Sequence, residues 1–198
     1  MADHSGRDDR RKVVHGILSE ASALLETVRG SDATPVLSAA DMIVRALNST
    51  GKVLVFGNGG SAADAEHLAA ELVGRFARDR RGWAAVALTA DSSVVTALGN
   101  DYGFRQVFAR QIEALGRPGD IAFAISTSGT SANVIAGFEA AERGGLKCIA
   151  LTGRDGGPLG RAAHLHLNVP HESTARVQEV HRTLLHVICE LVERELTA

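Results

Sequence analysis

Three groups of residues in this chain have types and spacings that could do chemistry. The first is Ser126-Thr127-Ser128-Gly129-Thr130-Ser131, which follows an apolar run and precedes a helical-looking segment. A strand that ends in a hydroxyl-rich turn and opens a helix presents unpaired backbone N–H groups and the positive end of the helix dipole to an anion. Its hydroxyls add rotatable donors that can follow a phosphate's oxygens. The second group, Gly57-Asn58-Gly59-Gly60-Ser61, repeats that logic between the apolar segment KVLVF and an Ala-rich helical segment. The third is a pair of pairs. His67 and Glu71 stand four apart and share one helix face. Gln178 and His186 stand eight apart, about 80° of helical rotation, and can look into one cleft, whereas His181 between them is turned elsewhere.

Two loops of this kind on one sheet point to a small phosphorylated ligand. If that ligand is a sugar phosphate, a carboxylate and an imidazole near its carbonyl end suit proton transfer between adjacent carbons. An aldose–ketose interconversion needs a base for the proton next to the carbonyl and an acid for the oxygen as the enediol forms. The same two imidazoles, one carboxylate and one amide oxygen also make a divalent-metal set, in which imidazole favours zinc. Taken singly, each pair is equally an ordinary helix-surface contact, worth only ~0.2–0.5 kcal/mol. Asn100-Asp101 reads either as a contact for sugar hydroxyls or as a turn closed by its own side chains. Arg75, Arg176 and Arg182 are secondary phosphate candidates, and His164, His166 and His171 read as structural.

A nucleotide is disfavoured. Gly57-x-Gly59 is followed by Ala62 where a dinucleotide fold would need a third glycine, and neither loop runs into G-K-[ST].

The elements that must position these groups can be read from periodicity. Residues 1–10 read as a disordered tail. Apolar residues at three- and four-residue spacing predict helices at Val13–Val28 and Pro35–Leu47, so that residues 11–50 form an N-terminal helical part. From Gly51 short apolar strands alternate with helices. Strands are expected at Lys52–Phe56, Trp83–Leu88, Asp120–Ile125, Lys147–Leu151 and Leu165–Val169. Helices are expected at Ala62–Phe76, Ser92–Leu98, Phe104–Leu115, Ser131–Glu142, Pro158–Ala163 and Ala175–Leu196. This pattern predicts an α/β domain over residues 51–198, a three-layer sandwich with a five-stranded parallel sheet covered on both faces. Ligands of such sheets bind beyond the carboxyl ends of the strands, where both loops fall.

Composition narrows the class. With 198 residues, 45% hydrophobic and only 4% aromatic, the chain can build a core packed by Ala, Val and Leu. A net charge of -2 without a basic, aromatic-interleaved run argues against nucleic acid as the partner. Cys148 and Cys189 do not make a disulfide framework and read as reduced core thiols. The polar N-terminus lacks an apolar signal core, and no stretch approaches the ~18 apolar residues of a membrane span. The expectation is a soluble, cytoplasmic protein with no membrane partner.

The residues also carry a resemblance. GNGGSAADAEHLAAEL (57–72), LGNDYGF (98–104), AISTSGTSANVI (124–135), LTGRDGG (151–157) and RVQEVHRTLLHVICELVE (176–193) closely resemble the phosphoheptose isomerase family. The match runs in unbroken order over nearly the whole chain after Gly51. It implies a flavodoxin-like sugar-isomerase (SIS) domain that interconverts sedoheptulose 7-phosphate and D-glycero-D-manno-heptose 7-phosphate. It implies a homotetramer packed through the N-terminal helices, with sites built from more than one subunit. By the resemblance, His67, Glu71, Gln178 and His186 fall on zinc-binding positions, with Glu71 as general base and His186 as the partner acid. Ser126, Thr127, Ser128 and Ser131 match a phosphate cradle, and Asn58, Gly59, Gly60, Asn100 and Asp101 match further substrate contacts. Where some relatives carry Asp, this chain has Ala175. A related non-catalytic fold that binds the replication initiator DnaA lacks the acid at Glu71 and the imidazole at His186. A regulator that only binds a sugar phosphate would need the hydroxyl loop but not that pair.

Overall fold

The computed structural model describes residues 4–198, with side chains from residue 7 onward, in two units divided between Ala33 and Thr34. The first unit contains one helix, α1 (His4–Arg29). The tail expected to be disordered through residue 10 is therefore helical from His4, and residues 1–3 lie outside the described residues. Alternating charge favours this extension, as in the Arg11–Asp8 pair at 3.5 Å, three residues apart. The helix ends where Gly30 N–H reaches the Glu26 carbonyl at 3.0 Å and the Ser31 hydroxyl reaches the Val28 carbonyl at 2.7 Å. Val13, Val14, Ile17 and Leu18 are exposed on it.

The second unit starts with α2 (Thr34–Asn48), which the sequence had grouped with the N-terminal part. Its apolar stripe, Ala39, Ala40, Ile43, Val44 and Ala46, is buried in the same core as the sheet, so this boundary falls at 33/34 and not at 50/51. The order continues β1 (Val53–Gly57), α3 (Gly60–Val73), β2 (Ala85–Ala87), α4 (Ser92–Tyr102) and, after a 3-10 turn at Phe104–Gln106, α5 (Val107–Leu115). Then come β3 (Ile121–Ser126), α6 (Ala132–Arg143), β4 (Lys147–Gly153), α7 (Gly157–Ala162), β5 (Leu165–Val169) and α8 (Thr174–Leu196).

The five strands are parallel throughout, in the order β2-β1-β3-β4-β5. Alternate residues of each strand supply two separate cores. Val53, Val55 and Phe123 face α2, α3 and α8, while Leu54, Phe56, Ala122 and Ala124 face α5 and α6. The expected three-layer sandwich is present. At the amino edge the buried Asp120 carboxylate accepts from Lys52 N–H at 2.9 Å and Arg117 N–H at 2.8 Å, and pairs with Lys52 Nζ at 2.6 Å. This pins β1 to β3 in register.

The strand order carries the functional consequence. Chain connections leave β1 and β3 in opposite lateral directions, so the loops that follow them diverge and leave a crevice between them. Those two loops are Asn58-Gly59 and Thr127–Ser131.

Candidate active site

Both helices that open from this crevice lack a side-chain cap. Gly59 at the start of α3 has no side chain to offer, and Ser131 at the start of α6 makes no capping bond. Their N-terminal ends border a cavity of about 280 Å³, although Ser61 and Ala62 N–H already donate to the Asn58 and Gly59 carbonyls and Val134 N–H to Asn133 Oδ1. Of the substrate contacts expected from sequence, Asn58, Gly59, Gly60, Ser126, Thr127, Ser128, Ser131 and Gln178 line it, joined by Ser61, Ile125 and Thr174. Two helix dipoles and a ring of hydroxyls converging on one void favour an anion.

The cradle is held in shape by its own hydroxyls. Ser126 Oγ accepts from Gly129 N–H at 3.2 Å and lies 3.4 Å from Ser131 Oγ. Ser128 Oγ accepts from the Thr130 hydroxyl at 3.0 Å. Gly129 adopts a φ of 64°, and an added Cβ would strike the Gly156 backbone, so only glycine fits where this loop meets the next. The Gly129 carbonyl is fixed there by Leu159 N–H at 3.1 Å.

The other half of the site lies between α3 and α8, which run side by side in the same direction. Their contacts form a ladder: Gly60 beneath the Gln178 amide, Asp64 with Arg182, then His67 with His186. Gly60 lets the Gln178 amide lie close over α3, since a Cβ there would push that side chain aside. His67 Nε2 lies 2.8 Å from His186 Nε2 and 3.3 Å from Glu71 Oε1. Phe76 closes one side, its ring centroid 5.8 Å from that of His186.

Three of the four expected metal ligands therefore converge. One donor atom each from His67, Glu71 and His186 lies within 4.8 Å of the others. Two imidazole nitrogens facing each other at hydrogen-bond distance can share one proton, or both can turn their lone pairs to a cation. With a carboxylate oxygen beside them, this donor set fits a divalent ion such as zinc. Gln178 sits two helical turns earlier on α8, about 12 Å of rise, with its amide against Gly60 at the cavity. The basicity of His67 is lowered, first by burial and then by the Arg182 charge, against the opposing pull of Glu71.

Other expected contacts go elsewhere. Asn100 and Asp101 are not in a loop: α4 runs on to Tyr102, and the two exposed side chains bond each other at 2.8 Å. Gly103, at a φ of 79°, ends the helix later than its apolar pattern does. Arg182 is committed to Asp64 at 2.6 Å, Arg176 reaches Glu179 at 2.6 Å, and Arg75 is exposed. His164, read as structural, accepts from Cys148 N–H, and His166, read likewise, lies 2.7 Å from the Thr152 hydroxyl. Both cysteines are buried free thiols.

Two residues escaped the sequence reading. Asp64 is a buried acid one turn before His67, and burial raises its pKa despite Arg182. Asn133 is buried in the first turn of α6 and bonded to Asn58 across the crevice. An Asp three residues before the His was the available signal for the first. For the second it was an amide just inside a helix that follows a phosphate-type loop.

Comparison with known proteins bears on the family and the fold. Residues 18–153 match the SIS domain family model. The phosphoheptose isomerase of Roseiflexus sp. is 50% identical over 183 residues, covering 91% of this chain and 93% of its own. That of Aquifex aeolicus is 56% identical over 161 residues, covering 81% of this chain and 84% of its own. The solved structure of a phosphoheptose isomerase from Neisseria gonorrhoeae superposes with a TM-score of 0.89 at 44% identity, over 93% of this chain and 98% of that one.

Proposed function

The chain belongs to the SIS domain family and, within it, to the phosphoheptose isomerases, and on that premise we propose how its residues perform the reaction. The reaction is the interconversion of sedoheptulose 7-phosphate and D-glycero-D-manno-heptose 7-phosphate. The observation that carries the residue assignment is the division of one α3–α8 face into two ends. An anion cavity lies at Gly60 and Gln178, and a carboxylate with two imidazoles lies at Glu71, His67 and His186.

In this reading the phosphate sits on Ser126, Thr127, Ser128, Ser131 and the N-terminal ends of α3 and α6. Asn58, Gly59 and Gly60 border the sugar, whose carbonyl end reaches Glu71 and His186. Glu71 removes the proton from C1 of the ketose while His186 protonates O2. The enediol then collapses: the carbon-bound proton returns to C2, and the O1 proton leaves as the aldehyde forms. One proton moves from C1 to C2 and one from O1 to O2, so the reaction is redox-neutral for the molecule. His67, Glu71 and His186, whose donor atoms converge, would hold zinc, which when bound supplies Lewis-acid polarisation of the carbonyl; Gln178, the fourth ligand the resemblance implies, could join only if its amide left Gly60. Glu71 serves both roles, and a cation on its carboxylate lowers its basicity.

The assembly belongs to the same proposal. Val13, Val14, Ile17 and Leu18, exposed on α1, support a homotetramer built through the N-terminal helices. Asn100 and Asp101, exposed at the end of α4, would then meet substrate in a neighbouring subunit. A cytoplasmic location accords with two free buried thiols, and among the described residues no helix is long and apolar enough to cross a membrane.

The test is NMR of the assembled protein with sedoheptulose 7-phosphate in D2O. Appearance of the aldose with deuterium at C2 supports proton transfer through an enediol. Aldose without deuterium keeps the isomerase but requires a shielded proton or a hydride shift. No conversion, with zinc supplied, rejects the activity in favour of a binding role.

A further inference from the structure

The segment between α3 and β2, residues 74–84, is tied down by one buried ion pair that the reaction as described does not use. Arg80 and Glu193 meet at 3.0 Å with side chains only 5% and 1% exposed. Glu193 also accepts three backbone N–H groups, from Phe76 at 3.2 Å, Ala77 at 2.8 Å and Arg78 at 2.9 Å. Burial works against its charge, but those N–H groups and Arg80 outweigh it and hold the carboxyl below its ordinary pKa. Arg80 spends its remaining donors on the end of α3 and on the Arg81 carbonyl at 3.1 Å. It donates to the carbonyls of Glu71 at 2.8 Å, Leu72 at 3.0 Å and Gly74 at 3.1 Å, with its guanidinium plane 3.4 Å from the Trp83 ring.

These bonds go to residues next to the chemistry. The last carbonyls of a helix have no intrahelical partner, and a cation there also complements the helix dipole. One of those carbonyls is that of Glu71 itself. Glu193 stands two turns beyond His186 on α8, and the N–H it takes from Phe76 sets the ring that packs on His186. Only a planar fork can serve the Glu71 and Leu72 carbonyls and Glu193 together, which a lysine cannot do.

Resting on the isomerase reading above, we infer that Arg80, anchored by Glu193, is a positioning residue that fixes Glu71 and His186 relative to one another. The phosphate cavity lies at the opposite end of α3, so the effect falls on turnover and not on substrate capture.

Arg80→Lys tests this, because it keeps the charge beside Glu193 and removes the fork. Below its melting temperature the assembled variant should lose at least about tenfold in kcat, with KM within about twofold of wild type. Wild-type kcat overturns the inference, and so does a parallel rise in KM, which marks a merely structural tie. If Arg80→Lys does not fold, Phe76→Leu leaves the ion pair intact and should show the same split. An unchanged kcat there also overturns it. If the unsubstituted protein does not turn over, the isomerase reading fails by itself. Positioning is then read from Co²⁺ titration followed by visible absorbance, where Arg80→Lys should weaken binding at least about tenfold, as loss of a ligand's supporting partner does. Unchanged cobalt affinity overturns it.

Discussion

Asn58 and Asn133 exchange two amide hydrogen bonds, each of 2.8 Å, across the crevice between β1 and β3. Asn133 Oδ1 also accepts from Val134 N–H at 3.0 Å, so its amide orientation is fixed, and with it that of Asn58. The two anion loops are thereby locked to each other before any ligand arrives. Asn133→Asp removes the donor to Asn58 Oδ1 and adds a negative charge beside the cavity. A lost buried partner costs about 1–3 kcal/mol, so KM should rise about tenfold or more while kcat holds. Steady-state kinetics on the folded protein checks this, and an unchanged KM removes Asn133 from the cradle.

Glu71→Gln keeps the shape of the side chain and removes the proton acceptor. Turnover should fall at least ~10²-fold, the effect typical of losing a general base, with the melting temperature little changed. Near-normal deuterium incorporation by this variant would assign the base elsewhere.

Ser128→Ala should act on binding. Ser128 lines the cavity and accepts from the Thr130 hydroxyl and N–H, at 3.0 Å and 3.3 Å. A several-fold rise in KM with kcat retained is expected, and a competition assay with inorganic phosphate should show the same weakening. No change in either would take this hydroxyl out of the phosphate site.

Acid should destabilise the fold through His181. The ring is fully buried, its Nε2–H donating to the Thr152 carbonyl at 2.9 Å, and burial pushes its pKa from the ordinary 6.5 down to about 4. Its stabilising contribution is complete above pH 6.5, where both states are neutral. It is lost as the pH falls toward 4, because the unfolded chain binds the proton first. The loss is on the order of 3 kcal/mol at about 1.4 kcal/mol per unit. Glu193, held below its ordinary range, adds in the same direction at lower pH. Urea denaturation between pH 7.5 and 4 checks this, and a flat midpoint would contradict it.

Much of this molecule was legible in advance. All five strands fell within a few residues of their predicted places because each is a short segment bounded by turn residues, β5 alternating apolar and polar residues and the others largely apolar. The hydroxyl loop and the His67–Glu71 spacing were legible for a similar reason, since a loop's donors and a helix face are local properties. Asn100 and Asp101 were misplaced because the apolar pattern of α4 fades before its hydrogen bonding stops, and only Gly103 ends it. The tail went astray likewise, since its charges hide a helix that carries no apolar face until Val13.

The sequence by itself determined the strand and helix order, the glycine- and hydroxyl-rich make-up of two loops and the residue types available for proton transfer. Only the tertiary structure decided which of those residues meet. It put His186 against His67, gave Arg182 to Asp64 instead of a phosphate, set Gln178 over Gly60 and clamped Glu71's helix with Arg80. The reason is physical. Each of these contacts joins segments that other elements bring together, and the packing of α8 on α3 fixes the partners by distance and burial, which no local spacing encodes.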